Sequence, residues 1–592
     1  MRLFYTVKLN STLLRENKYK LNIAKDSKID AFKYTDADEA TKTLVEYAKV
    51  GEFVAECVYN GLIVSLADSQ MLKSIRDITG QSVDRCLLET WYEERDRLKK
   101  KKKTNTEEKK RIKMLQWAIY GMMYIPQYIT VTMDSVSDYE KMYSDGFIFN
   151  HRWYKRISCS ASQARVSTVV FCDSGPEQKG IPVEDEATSI CIELKRRLDN
   201  GRDLLHPLAA SKYNAYFGLY SSATKEVTKP RFCIVKDYCE VRPVDVDYVI
   251  EQPPDVDDII EERTMDIEFN CWDGSGLISP QMAEIWGNDL GEDYTPCQFC
   301  IRCAFTKGAL NEFDFVEWCK EENNGNYIIT DIYGNPRDLR EVDVILTEGM
   351  AKLWDSWESQ EIYEKCCEKN GIIWGVTKYA PKKDKEVNTA NYQFLQTLNL
   401  TDDMVKDVCK TTVDYIQGVS YDNIYYTLLF LMGENLDEGG VENFLKMSDN
   451  YWLKSMVLNH NLLNDKYSKE KIRDYIIRKI ELSCLGRILL RGNFQCIVVD
   501  GFGFMQSITG QKVTGLLKAG EFYSQFWNNR GVNRVDCMRS PLTHFSEHYV
   551  VDLKNDERMQ KWFKYSYSGI IVNCHDEHTM HFSGSDYDEV KC

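Results

Sequence analysis

The sequence has no apolar run as long as the roughly 20 residues that a membrane-spanning helix needs, so no bilayer span is expected. Its opening, Met1-Arg-Leu-Phe-Tyr-Thr-Val-Lys8, alternates like a strand and does not read as a signal peptide. An excess of base is missing too. The 75 Lys and Arg stand against 91 Asp and Glu, a formal charge of −16, which argues against a generic coat on nucleic acid or membrane but leaves room for a basic channel inside an acidic shell. The 20 cysteines form no disulfide framework, and Cys366 and Cys367 are adjacent, so they read as reduced thiols of a cytoplasmic protein. Cys297, Cys300 and Cys303 have zinc-like spacing, but no second pair follows at ribbon distance and the run reads as a strand, which argues against a zinc site. What the chain does have is length: 592 residues exceed one core and call for three to five structural units.

After the opening strand, apolar residues recur with helical spacing through Gly51–Met71 and Val83–Leu98. The lysine run Lys99–Lys103 contains no aromatic residue and is followed by acids at Glu107 and Glu108, which predicts the solvated tip of a helical hairpin. From Tyr128 the pattern turns to β. Tyr128–Thr132 and Thr168–Cys172 are strand-like, and Lys155–Arg165 between them is Ser-rich with basic ends, open to a surface-loop or a phosphate-accepting reading. A further strand pair is expected at Ala215–Leu219 and Phe232–Lys236, then an acidic, proline-bearing linker from Val241 to Glu262. Trp272-Asp-Gly-Ser-Gly-Leu-Ile-Ser279 reads as a glycine turn leading to a helix capped by Ser279 with Pro280 at its first position. Phe299–Gly308 and Trp374–Lys378 are strands that close on Lys307 and Lys378. An ammonium at a strand end suits a phosphate, with a solvated lysine as the alternative. Asn391-Tyr-Gln opens a helix, helical texture fills Thr401–Ile480, and Asp500-Gly-Phe-Gly503 then echoes Asp273-Gly-Ser-Gly276, suggesting two related β modules.

The last complete motif, Ser583-Gly-Ser-Asp586-Tyr-Asp588, sets two carboxylates at i and i+2 after a Ser-Gly-Ser turn. Such a pair can share one hard cation, and Mg²⁺ suits it because it prefers oxygen, keeps several waters and is completed by substrate phosphates; an acidic surface loop is the alternative. Upstream, His575, His578 and His581 recur at i, i+3, i+6. The β surroundings predict a strand leading into the loop, with His578 opposite the other two, rather than a helical zinc face.

In order, Asp273-Gly-Ser-Gly-Leu-Ile-Ser279, Cys300-Ile-Arg-Cys-Ala-Phe-Thr-Lys307-Gly308, Asn391-Tyr-Gln393, Gly486-Arg-Ile-Leu489 with Val499-Asp-Gly-Phe-Gly503, Met538-Arg-Ser-Pro-Leu-Thr-His544 and the Asp586/Asp588 motif resemble the two-barrel RNA polymerases, over roughly Tyr128 to Asp588. Within these the chain looks like the single-chain polymerases of bacteriophages, which are related to the RNA-dependent RNA polymerases of eukaryotic gene silencing. Ser160-Ala-Ser-Gln-Ala-Arg165 and the Ala215–Leu219 run look more like the phage branch.

The resemblance implies an α+β multidomain chain with two double-psi β-barrels facing a catalytic cleft. Its parts would be a helical N-terminal region (1–125), a β-rich accessory domain (126–262), a lysine-bearing first barrel (263–400), a helical insert (401–480) and a second barrel with the metal-binding aspartates (481–592). It implies template-directed transfer of nucleotides from NTPs to an RNA 3′-OH with two Mg²⁺, the second entering with the nucleotide. The template would be DNA in the phage branch, within the infected host's cytoplasm or a virion, and RNA in the silencing branch; a non-catalytic remnant that binds nucleic acid is a further reading. Carried over residue by residue, Lys307 and Lys378 match the two barrel lysines, Arg539 the arginine near the incoming ribose, and Asp586 and Asp588 the first two aspartates of the metal loop. The family places a third aspartate where this chain has Val590, after Glu589, and valine cannot bind Mg²⁺. The strand that closes the second barrel in the family is also expected beyond this motif, so the second barrel is expected to be incomplete here and completed by a downstream polypeptide. An unrelated β-rich interaction protein would instead leave Lys307, Lys378, Arg539 and Asp586 far apart.

Overall fold

The computed structural model describes residues 3–23, 25–101, 103–178, 181–182, 189–202, 210–420, 424–432 and 450–588. Strand β1 (Phe4–Asn10) leads through α1 (Glu39–Tyr59) and β2 (Ile63–Leu66) to a hairpin of α2 (Arg85–Lys99) and α3 (Thr106–Met122). Lys99, Lys100, Lys101 and Lys103 are exposed at the tip of that hairpin, where Asn105 and Glu108 form a capping box that starts α3. The helical pattern expected to reach Met71 stops at Tyr59, because the β-branched Ile63-Val64 segment pairs with β1 instead. Helices α1 and α3 cross so closely that a Cβ on Gly51 would lie 1.6 Å from the Trp117 carbonyl oxygen, and one on Gly121 1.9 Å from that of Tyr47.

Strand β3 (Tyr124–Thr132) runs parallel to β1, and β4 (Phe147–Phe149), β5 (Arg152–Ser158) and β6 (Thr168–Gln178) extend the same eight-stranded sheet, in the order β4-β5-β6-β3-β1-β2, with Lys20–Leu21 beside β4 and Ile181–Pro182 beside β6. One sheet therefore runs from residue 4 to 178. The Ser-rich segment is a helix start, with Ser160 capping Ala161–Arg165. The guanidinium of Arg156 is held by Asn214 at 3.1 Å and lies over the Tyr143 ring. Ala215–Leu219, expected as a strand, is the end of a helix (Ala210–Gly218) followed by a 3₁₀ turn. The spacing of Tyr213, Phe217 and Tyr220 decides this: Tyr213 stacks on Phe217, and Phe217 and Tyr220 are buried, a helical period that outweighs aromatic β propensity.

The second sheet opens with β7 (Phe232–Val235). The segment expected as a linker is a two-stranded ribbon, β8 (Cys239–Ile250) and β9 (Ile259–Asn270), paired from Cys239↔Asn270 to Ile250↔Ile259. Alternation of apolar residues with acids, at Val244–Asp247 in one arm and Met265–Phe269 in the other, outweighs the prolines, which fall at Pro243 within an exposed arm and at Pro253-Pro254 in the tip. Then follow β10 (Ser275–Ile278), α4 (Pro280–Leu290, capped by Ser279 as its sequence predicts), β11 (Gln298–Cys303), β12 (Thr306–Glu312), β13 (Val344–Thr347) and β14 (Gly375–Tyr379). The sheet order is β7-β13-β10-β12-β11-β14, with Lys225–Glu226 at the far edge.

Helices α5 (Asp402–Ser420), α6 (Ile424–Met432), α7 (Tyr451–Leu458) and α8 (Lys466–Cys484) lie in the segment expected to be helical. Beyond it lie β15 (Ile497–Val498), α9 (Gly501–Ile508), β16 (Glu521–Phe522), β17 (Arg534–Cys537), β18 (Tyr549–Leu553), β19 (Ile570–Ile571) and α10 (His578–His581). The two Asp-Gly-x-Gly segments are not equivalent. Asp273-Gly274 is a turn before a strand, whereas the fully buried Asp500 caps α9, accepting from the N–H groups of Phe502 (2.9 Å) and Gly503 (3.2 Å). The second sheet and the C-terminal segment share a core: Trp272 packs on Phe504, and the cluster continues through Phe522, Trp562 and Tyr587. The architecture is mixed α+β with several units. Among the described residues no helix is long and apolar enough to cross a membrane.

Candidate active site

The site lies where the turn after the ribbon, the β11–β12 hairpin and the last described loop meet. Strands β11 and β12 are joined by the tight turn Ala304-Phe305, which sets Lys307 opposite Arg302. The Lys307 ammonium forms an ion pair with the Asp588 carboxylate, 281 residues on in sequence. The backbone N–H of Tyr587 donates to the Asp273 carbonyl at 2.9 Å. Gly274, at φ +76°, lets the loop approach, since a Cβ there would sit 2.6 Å from the Asp588 Cβ. The Cys300 thiol on β11 donates to the Asp588 carbonyl at 3.7 Å.

Negative charge accumulates here. Burial and the neighbouring Asp588 and Asp273 charges hold the Asp586 carboxyl above its ordinary range, with Lys307 opposing them. Burial alone would lower the Lys307 ammonium, but the hydrogen bond and charge of Asp588, with Asp586 behind, raise it. Behind Asp273, burial likewise raises Asp237, whose Oδ1 has no partner among the described residues. Both Asp237 and Asp273 lie against Gly349, where a Cβ would meet their carboxylate oxygens at 2.9 and 2.8 Å. Ser585 is 8% exposed, and its hydroxyl also lacks a described partner.

Lys307, Asp586 and Asp588 are thus brought together. Arg539 reaches the base of the same loop, donating from Nη1 to the Phe582 carbonyl at 3.3 Å. Lys378 is exposed on β14, directly across from Cys300 and therefore on the face that meets Asp588. Glu589 and Val590 lie outside the described residues. Cys297, Cys300 and Cys303 are buried separately, Cys297 donating to the Ser568 carbonyl and Cys303 lying beside Tyr363. The segment from His575 to His581 ends in the short helix α10, not the expected strand. The Asp576 carboxylate accepts the His578 N–H and so starts the turn. His578 is buried, His575 meets the Thr514 carbonyl and His581 the Ser546 carbonyl.

Sequence reasoning missed Asp237, Arg302, Asp576, His578 and Tyr587 as members of the site or its support. Arg302 is half-buried beside Lys307, and its Nε has no partner among the described residues. The one available signal was position: Arg302 precedes the matched lysine on the same hairpin, and Tyr587 separates the two aspartates.

A family model described as RNA dependent RNA polymerase matches residues 111–589, the whole of the region that builds this site. The chain belongs to that family. Its fold is similar to that of the RNA dependent RNA polymerase QDE-1 from Thielavia terrestris, with a TM-score of 0.50 and 14% identity. The match covers 78% of this chain and 48% of that one, so the chain spans about half the length of the solved relative. No curated protein matches it.

Among the described residues no three His, Cys, Asp or Glu side chains are grouped as a metal cluster. The loop offers two carboxylates, a third close by in charge, and a spare hydroxyl, all hard oxygens, and Lys307 opposes the repulsion between the carboxylates. That donor set fits a hard divalent cation completed by water and substrate oxygens, not a closed protein cage.

Proposed function

We propose that the chain is a template-directed RNA polymerase that copies RNA. The family match supports the RNA-templated reading over the DNA-templated one that the phage-like segments suggested. In this reading the sheet β7–β14 belongs to a first double-psi barrel and residues 481–588 to a second, with the cleft between them. Asp586 and Asp588 would hold Mg²⁺, which when bound lowers the pKa of the RNA 3′-hydroxyl and offsets charge on the leaving pyrophosphate. Lys307 and Lys378 place ammonium groups where phosphate oxygens gain charge, and Arg539 orients the ribose from the base of the loop. In the protein alone, Lys307 spends its charge on Asp588. A cation held by the aspartates would leave the same ammonium free to meet a phosphate.

The observation that carries this reading is the Lys307–Asp588 ion pair between the β11–β12 hairpin and the last described loop, in a chain of a polymerase family. Primer extension with the four NTPs and Mg²⁺, on matched RNA and DNA templates, tests it. Incorporation on RNA that D586N and D588N each abolish supports it. Incorporation on DNA alone restores the DNA-templated reading, and template binding without incorporation in Mg²⁺ or Mn²⁺ makes the chain a non-catalytic binder.

A further inference from the structure

Tyr587 separates the two aspartates and faces the other way: it is 3% exposed, in the core with Phe522 and Cys574, whereas Asp586 is exposed to the cleft. Its phenol meets His578 Nε2 at 2.8 Å, and His578 Nδ1 meets Asp576 Oδ1 at 2.5 Å. The second oxygen of Asp576 accepts from the Gly520 N–H (2.8 Å), the Tyr549 hydroxyl (3.0 Å) and Asn573 Nδ2 (2.5 Å). Arg242, from the base of the ribbon, grips the backbone of the same turn, donating to the carbonyls of Asp576 at 2.6 Å and of Cys574.

One proton arrangement satisfies every donor in this buried chain. Nδ1–H donates to an ionised Asp576, and Nε2 accepts from the phenol. Burial would raise Asp576, but its hydrogen bonds, led by His578, hold it well below the usual carboxylate range; burial keeps the Tyr587 phenol protonated. Residue 587 is therefore anchored twice, by its hydroxyl to His578 and by its N–H to Asp273. With both anchors in place it can neither rotate nor slip along the chain, and the residues on either side of it are the two carboxylates.

We propose that Asp576, His578 and Tyr587 form a buried positioning chain that sets the spacing of Asp586 and Asp588, and with it the affinity of the loop for a divalent cation. The proposal rests on the metal-binding reading of that loop. Groups one step behind metal ligands commonly tune affinity by about 10–100-fold.

The test uses the full chain with Mn²⁺ as a spin probe, free ion being measured by electron paramagnetic resonance, beside thermal unfolding of each variant. Wild type is expected to bind Mn²⁺ and D588N to lose it. Y587F and H578N should each weaken binding by about tenfold with the unfolding midpoint little changed. H578Q, whose amide oxygen can still accept from the phenol, should stay closer to wild type. The Y587F/H578N double variant should bind no more weakly than either single one, because both cut the same link. Y587F removes one oxygen and keeps the ring, so the test stands on it where H578N fails to fold. Wild-type Mn²⁺ affinity in folded Y587F and H578N overturns the proposal and leaves the site intact. Wild type and D588N alike in binding no Mn²⁺ overturn the metal-site reading, and the proposal with it.

Discussion

Asp588 is 8% exposed and meets one cation, Lys307, so the two charges depend on each other. Removing one partner of such a pair leaves a charge without compensation in a poorly solvated place. K307M is expected to cost about 1–3 kcal/mol and to abolish incorporation. The K307M/D588N double variant should recover most of that stability, since no lone charge remains, and still incorporate nothing; denaturant unfolding beside primer extension separates the two effects. Glu312, on the same strand as Lys307, is also 8% exposed, and burial pushes its carboxyl up to about 8. The folded chain thus keeps a proton there that the unfolded chain releases near pH 4.5, so stability falls as pH rises between those values. E312Q mimics the protonated form. It should flatten that slope and raise stability at pH 8.5 by about 1–3 kcal/mol, measured as unfolding free energy against pH. Neither effect could be read from the sequence, where Glu312 is one acid among 91 Asp and Glu and its burial depends on the strands around it.

Elements were legible where one period dominated. The capped start of α4, the α2–α3 hairpin and the helices of the insert follow from spacing and caps that act over a few residues. The ribbon β8–β9 was not legible, because each of its arms is stabilised by the other and proline with acid is also the signature of a linker. The crossing of α1 and α3 is of the same kind: Gly51 and Gly121 are ordinary helix-weakening glycines until the two backbones are seen in contact. A methyl group at either position forces the helices apart. G51A and G121A should each destabilise the N-terminal sheet by about 2–3 kcal/mol. Because both act on one crossing, the double variant should cost less than the sum, a double-mutant cycle by thermal unfolding being the measure.

Over the whole molecule, charge is sorted by place. Between Cys239 and Asn270 the ribbon carries eleven carboxylates and two arginines, whereas Lys307, Arg302, Lys378 and Arg539 gather around the aspartate loop. The acidic arm is expected to repel nucleic acid that approaches anywhere but these cations. Replacing Asp255, Asp257 and Asp258 at the ribbon tip with serine should raise non-specific RNA affinity about two- to fivefold at low salt, with the difference gone near 0.5 M salt. Filter binding at two salt concentrations reads this directly. At this scale the sequence showed the order of the site residues but not their distances: a shared family order related Lys307 to Asp588, and folding was needed to bring Asp237, Arg302 and the Asp576–His578–Tyr587 chain to them. The backbone bond from Tyr587 to Asp273 has a consequence for temperature. Among the described residues the loop that carries the aspartates joins no sheet, and this backbone hold comes from a turn that leads into one. Its other holds, to Lys307, Cys300, Arg539 and His578, are made by side chains, so warming is expected to loosen the loop, and any synthesis it supports, before either sheet unfolds.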